Sequence, residues 1–117
     1  MAFENFLFLI PFLAGFVFVL AGLLMLTFPP KKINSLYGYR SRRSMKNQEN
    51  WDFAQKYSSK EMAKLGFLMI LFSLLGLFID PGENLSAVIG LLLVIALSVA
   101  LFLRVEKAIQ NKNSGKK

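Results

Sequence analysis

The chain has 117 residues, 55% of them apolar, a formal net charge of +7, and neither cysteine nor histidine. That length holds about one domain. Missing cysteine excludes disulfides, thiolate nucleophiles and cysteine-ligated metals; missing histidine removes the commonest metal ligand and the usual neutral-pH general base. No cofactor or metal is therefore expected, and most hydrolase and metalloenzyme classes fall away.

The apolar residues come in blocks, which read as membrane spans rather than a globular core. The first runs from Asn5 to Phe28 without a charge, long enough to cross a bilayer at about 20 helical residues. Pro11 is tolerable near its first turns or as a kink. A signal-peptide reading is opposed by three features: no Lys or Arg precedes the block, its apolar run is long, and Phe28-Pro29-Pro30 offers no small-residue cleavage site. The second block is charge-free only from Leu65 to Ile79. Met62 and Ala63 extend it, and Lys60 and Lys64 can snorkel. The third runs from Asn84 to Leu103, after a turn at Asp80-Pro81-Gly82-Glu83-Asn84. The expected architecture is an all-α integral membrane protein, one domain over 1–117. Its spans lie at about 5–28, 62–79 and 84–103, its loop at 29–61 and its basic tail at 104–117.

Charge sets the expected direction. Segment 31–64 holds nine Lys/Arg and segment 104–117 holds five, which together are all 14. The turn between the last two spans has only Asp80 and Glu83. Three spans put both basic segments on one side, and the positive-inside rule makes that side cytoplasmic, with the N-terminus outside. Anionic lipid then accounts for Lys31, Lys32, Arg42, Arg43 and Arg104 as topology and headgroup residues. Nucleic acid is not needed as a partner, and KNSGKK at the C-terminus reads as a disordered basic end.

No ionisable residue lies inside a span, which disfavours proton relays and charged-substrate pores. Gly15 and Gly22 lie a heptad apart, and Ala96 and Ala100 one turn apart. Both pairs are candidates for helix contact, within the bundle or between copies.

The loop carries the rest. Pro29-Pro30-Lys31-Lys32 stops the first helix. Gly38, between Tyr37 and Tyr39, suggests a turn or a close backbone approach. Ser44 or Asn47 can cap a following helix, with Glu49 and Asp52 in its first turns. Trp51, Ala54, Tyr57 or Ser58, Met62 and Leu65 recur at helical spacing. An amphipathic cytoplasmic helix leading into the second span is expected. With no proline from Pro30 to Pro81, one bent helix from about Asn47 to Ile79 is possible. Tyr37, Tyr39 and Trp51 can act as interfacial anchors. Arg40, after the aromatic-Gly-aromatic turn, could hold a carboxylate or carbonyl in its fork.

The set Gly38, Tyr39, Arg40, Ser44, Asn47, Trp51 and Ala54, approached through Pro29-Pro30, Asn34 and Tyr37, resembles the loop motif of the SdpI family of small bacterial membrane proteins. Ser41 replaces the family's Thr, and Gln55 the Asn after Ala54. The likeness covers about residues 27–80, and the third span by hydropathy alone. The family's named member is a longer immunity protein against a killing peptide. It is also described as a partner that holds a cytoplasmic repressor at the membrane.

By that resemblance the chain would be a non-catalytic binding protein of the bacterial cell membrane. Its partner would be a membrane-active toxin peptide or a cytoplasmic regulator. Arg40 would bond helix-end carbonyls or Asn47, and Trp51 would pack under the Tyr37–Tyr39 turn. The alternative is a small oligomeric transport or channel-like subunit. An enzyme acting on lipid phosphate, with Arg40, Arg42 and Arg43 as binders and Glu49 or Asp52 as base, is disfavoured, and a DNA-binding reading more so. Oligomeric state is open.

Overall fold

A computed structural model describes residues 5–114. They form three helices and no strand: α1 over Phe6–Thr27, α2 over Gln48–Leu75 and α3 over Glu83–Asn113. By length and composition α1 and α3 can cross a membrane. The described chain measures 48 × 26 × 22 Å, longer than the roughly 30 Å apolar layer of a bilayer.

The helices run up, down and up. Asn5 caps α1, its side chain accepting from the Leu7 N–H at 2.9 Å. The same side chain donates to the carbonyl of Gly76, just past the end of α2. The start of α1 and the end of α2 therefore share one end of the bundle. Pro11 sits inside α1 without ending it. It has no N–H for the Leu7 carbonyl, and Gly76 packs there: a Cβ on Gly76 would stand 2.7 Å from the Leu7 carbonyl carbon.

Glycines let α1 and α2 meet backbone to backbone. A Cβ on Gly15 would lie 2.5 Å from the Gly66 oxygen, and one on Gly66 2.6 Å from the Gly15 oxygen. One on Gly22 would lie 2.6 Å from the Ser59 oxygen. Gly15 and Gly22 are thus consumed inside the bundle, which is how small residues bring helices close. The alanines differ: Ala96 is exposed and Ala100 half-buried, so they do not form a matching seam.

Two boundaries move from the sequence reading. The second apolar block is expected to stay helical to Ile79, but α2 ends at Leu75 and turns through Phe78, with Gly76, Leu77 and Phe78 N–H groups bonding three residues back. That tightening is usual at a helix end. The basic tail is expected to begin at 104, yet α3 continues to Asn113. Buried Leu101, Val105 and Ile109 stripe one face and pack on Ala54, so tertiary burial carries the helix beyond its hydropathic end. The last three residues of KNSGKK lie outside the described residues. The single helix across the loop's second half matches α2, which begins at Gln48 with Asn47 as its cap and runs into the apolar block. Its 28 residues span about 42 Å.

Candidate functional site

The loop from Phe28 to Asn47 has no regular secondary structure, so its backbone groups need other partners. Side chains of the motif supply them. Asn34 starts the path with an Asx turn, its Oδ1 accepting from the N–H groups of Leu36 and Tyr37 at 2.9 and 2.7 Å. The Tyr37 hydroxyl then donates back to the Phe28 carbonyl at 2.6 Å, satisfying the end of α1.

Gly38 lies at φ +105°, where an L side chain is strained. A Cβ there would stand 2.6 Å from Gln55 Oε1 and 2.7 Å from Pro30 Cγ. The glycine thereby lets Gln55 reach the next residue. Gln55 Oε1 accepts from the Tyr39 N–H at 2.7 Å, and Gln55 Nε2 donates to the Tyr39 carbonyl at 2.7 Å. One amide thus satisfies both backbone groups of Tyr39, as a neighbouring strand would.

Ser41 and Ser44 close the next turn reciprocally. The Ser41 N–H donates to Ser44 Oγ at 2.7 Å, and the Ser44 N–H to Ser41 Oγ at 3.1 Å. Asn47 caps α2 by accepting from the Asn50 N–H at 2.7 Å. Asn50 Nδ2 reaches back to the Arg43 carbonyl at 3.0 Å. Trp51 is wholly buried, and its Nε1 donates to the Pro30 carbonyl at 2.6 Å. Ala54 is wholly buried beside it on α2. Gln48 Nε2 donates to the Lys31 carbonyl at 2.6 Å.

Tyr37, Gly38, Tyr39, Ser44, Asn47, Trp51, Ala54 and Gln55 are therefore brought into one assembly. Arg40 is not. It is exposed, and among the described residues it makes no hydrogen bond or ion pair. The helix-end carbonyl expected for it belongs to Tyr37, and Asn47 is engaged in capping. A guanidinium is costly to bury, whereas a phenol hydroxyl serves a single carbonyl with less desolvation. Trp51 also differs in detail, since its polar bond is to the Pro30 segment.

A second tier joins this loop to α3. Glu106 is 8% exposed. Its Oε2 accepts from the Tyr39 hydroxyl at 2.5 Å and its Oε1 from Arg43 Nη1 at 3.2 Å. Tyr39 also packs its ring near Phe102, with centroids 6.4 Å apart. Burial pushes the Tyr39 phenol far above its ordinary value, helped by the bond to Glu106 and its charge. Burial works against the Glu106 charge, but the Ser41, Tyr39 and Arg43 donors around it prevail, and its carboxyl sits below the ordinary range. Glu61, 5% exposed, accepts from Arg104 Nε and Nη2 at 2.9 and 2.6 Å. Glu49 pairs with Lys112 at 2.7 Å, and that bond and charge lower its carboxyl.

Arg43 and Arg104, read above as topology and lipid residues, thus have carboxylate partners on other segments. Lys31, Lys32 and Arg42 are exposed. Sequence reasoning missed Glu61 and Glu106. The available signal was their position: two acids inside strongly basic stretches, neither near a helix start, where an acid would otherwise serve the helix dipole.

A sequence model of the SdpI/YfhL protein family matches residues 31–105, from the loop through most of α3. The chain is 41% identical over 96 residues to the uncharacterized protein YfhL of Bacillus subtilis (strain 168), covering 82% of each chain. No solved structure matches. All of the loop from residue 31 onward lies within the matched region, and the chain belongs to the SdpI/YfhL protein family.

Proposed function

We propose that the chain is a three-span, non-catalytic protein of the bacterial cell membrane that confers resistance to, or senses, a membrane-active peptide. The N-terminus lies outside and the loop and C-terminus inside. The amphipathic first half of α2 stands on the cytoplasmic side, and its second half is the middle span. Charge asymmetry supports the direction, since the end of the bundle bearing the loop and the α3 extension is the basic one.

The observation that carries the reading is the coupling of helix packing to the loop. Tyr37 bonds the end of α1, Gln55 and Trp51 of α2 hold the loop, and Tyr39 and Arg43 bond Glu106 of α3. An apolar peptide that shifts one helix in the bilayer would disturb this shared network. A packed assembly converts such a shift into one of a few discrete arrangements rather than absorbing it. A cytoplasmic regulator would read the result on the exposed basic face around Arg40 and Arg42.

The test is killing of a peptide-sensitive strain with and without the protein, at checked abundance. Protection is expected from the wild type. Equal killing in both strains sinks the resistance role for that peptide. Arg40→Ala at normal abundance separates direct action from architecture: lost protection marks Arg40 as a contact residue.

A further inference from the structure

The face of α3 beyond the apolar block forms an open cleft with the loop, about 650 Å³ in volume. Leu103, the last residue of the apolar run, lines one end. Arg43, Lys107, Gln110, Asn111 and Ser114 line the rest, with the Glu106 carboxylate at its side. Residues 103, 106, 107, 110 and 111 share a helix face by their spacing.

Donors outnumber acceptors in this cleft. Among the described residues, Arg43 uses one of its N–H groups, on Glu106, of the five a guanidinium has. Its side chain is 50% exposed. Lys107 is exposed and makes no hydrogen bond or ion pair among the described residues. The Gln110 and Asn111 side-chain amides are likewise unbonded among those residues. The acid, Glu106, already accepts from Tyr39 on one oxygen and Arg43 on the other. Two cations against one engaged carboxylate leave the cleft net positive and rich in unused donors.

We infer that this cleft binds a phosphate group, held between Arg43 and Lys107 with the Gln110 and Asn111 amides as further donors. A guanidinium fork and a neighbouring ammonium suit phosphate oxygens. Leu103 at the apolar end fits the glycerol and upper acyl region of a phospholipid, which makes a lipid headgroup the favoured source over a free phosphate ester. That preference alone rests on the membrane direction proposed above. The phosphate site itself depends neither on that direction nor on the resistance role.

The experiment uses the full chain in an uncharged detergent, with the Gln110 and Asn111 side-chain amides observed by NMR. Dihexanoyl phosphatidylglycerol, glycerol 3-phosphate and the phosphate-free dihexanoylglycerol are titrated in turn. Saturable shifts are expected with the first and none with the third. Shifts with glycerol 3-phosphate of equal affinity also uphold the phosphate site and name a soluble ester as its source. Lys107→Ala is expected to weaken binding about tenfold through one lost charge-assisted bond, and Lys107→Arg to restore most of it. Lys56→Ala, an exposed cation outside the cleft, is the control and is expected to change affinity less than twofold. No saturable shift with either phosphate ligand overturns the proposal. So does equal weakening by Lys107→Ala and Lys56→Ala, which would mean diffuse surface charge. These outcomes are read without any killing assay, so failure here leaves the resistance role standing and the reverse also holds.

Discussion

The seam between α1 and α2 and the seam between α2 and α3 are held by different means. The first is a backbone contact, made possible where Gly15, Gly22 and Gly66 remove side chains from facing turns. The second places Ala54 against Leu101, Val105 and Ile109, and adds Glu61–Arg104 and Glu49–Lys112 across the helices. In lipid, apolar side chains gain little by leaving their surroundings, so close van der Waals approach is the main attraction available. Beyond the apolar layer water is present, and both burial and ion pairs can contribute. Under the membrane placement proposed above, each device would lie mostly where its surroundings make it effective.

The sharpest way to break this contrast is to remove apolar bulk from the polar end. Trp51→Ala is expected to cost about 3–5 kcal/mol by analogy with buried aromatic truncations, and it also leaves the Pro30 carbonyl unpaired. Thermal unfolding in detergent and abundance in the membrane measure it. Wild-type Trp51 should emit at short wavelength and resist iodide quenching, since it is wholly buried. Trp51→Phe should lose only about 1–2 kcal/mol, the hydrogen-bond share.

Next comes the glycine seam. Gly66→Val puts a branched side chain where even a Cβ would lie 2.6 and 2.7 Å from α1 backbone atoms. Backbone cannot yield as a flexible side chain does, so about 1–3 kcal/mol or more is expected. Cross-linking between α1 and α2 should fall with it. Normal stability and normal cross-linking would show that the seam is looser than its geometry implies.

The ion pairs should matter less. Arg43 is half exposed, so Arg43→Glu should cost only about 1 kcal/mol after solvent screening, and Arg43→Glu with Glu106→Arg should recover part of it. The pH dependence has a definite direction. Glu106 titrates below its ordinary 4.5 in the folded protein. The bonds to its charged form therefore add stability above 4.5, and that stability is lost as pH falls through the lower folded value. Glu106→Gln should flatten this acid limb while leaving neutral-pH stability within about 1 kcal/mol. An unchanged acid limb in Glu106→Gln would remove the carboxylate from the network.

Smallest of all is Arg40→Ala. An exposed side chain without a partner among the described residues should change stability by less than about 0.5 kcal/mol. That makes it the cleanest substitution for the killing assay, because a loss of protection could not be laid to unfolding.

Much of this was legible beforehand. Hydropathy marked α1 and α3, Asn47 was one of two cap candidates for α2, the other being Ser44, which instead closes a turn with Ser41, and the uninterrupted run without proline pointed to a helix crossing from loop to apolar block. Gly38 was read as a turn or close approach, and it is both. These are local properties: each depends on backbone geometry or on the solvent a segment of given composition prefers. The motif also marked Gln55 as notable without saying what it bonds.

What local sequence could not supply was the pairing of distant groups. Arg40 and Arg43 are the same residue type three positions apart, and nothing in their immediate neighbours says which meets a carboxylate. That was decided when α3 packed on α2 and carried Glu106, 63 residues further on, to Arg43. The same packing extended α3 to Asn113 past its apolar stretch and turned Ala96 away from the bundle. Composition and periodicity pointed to the helices and to two candidate caps for α2. The partners of the buried charges followed only from the folded path, because charge pairing depends on distance in space and not on distance along the chain.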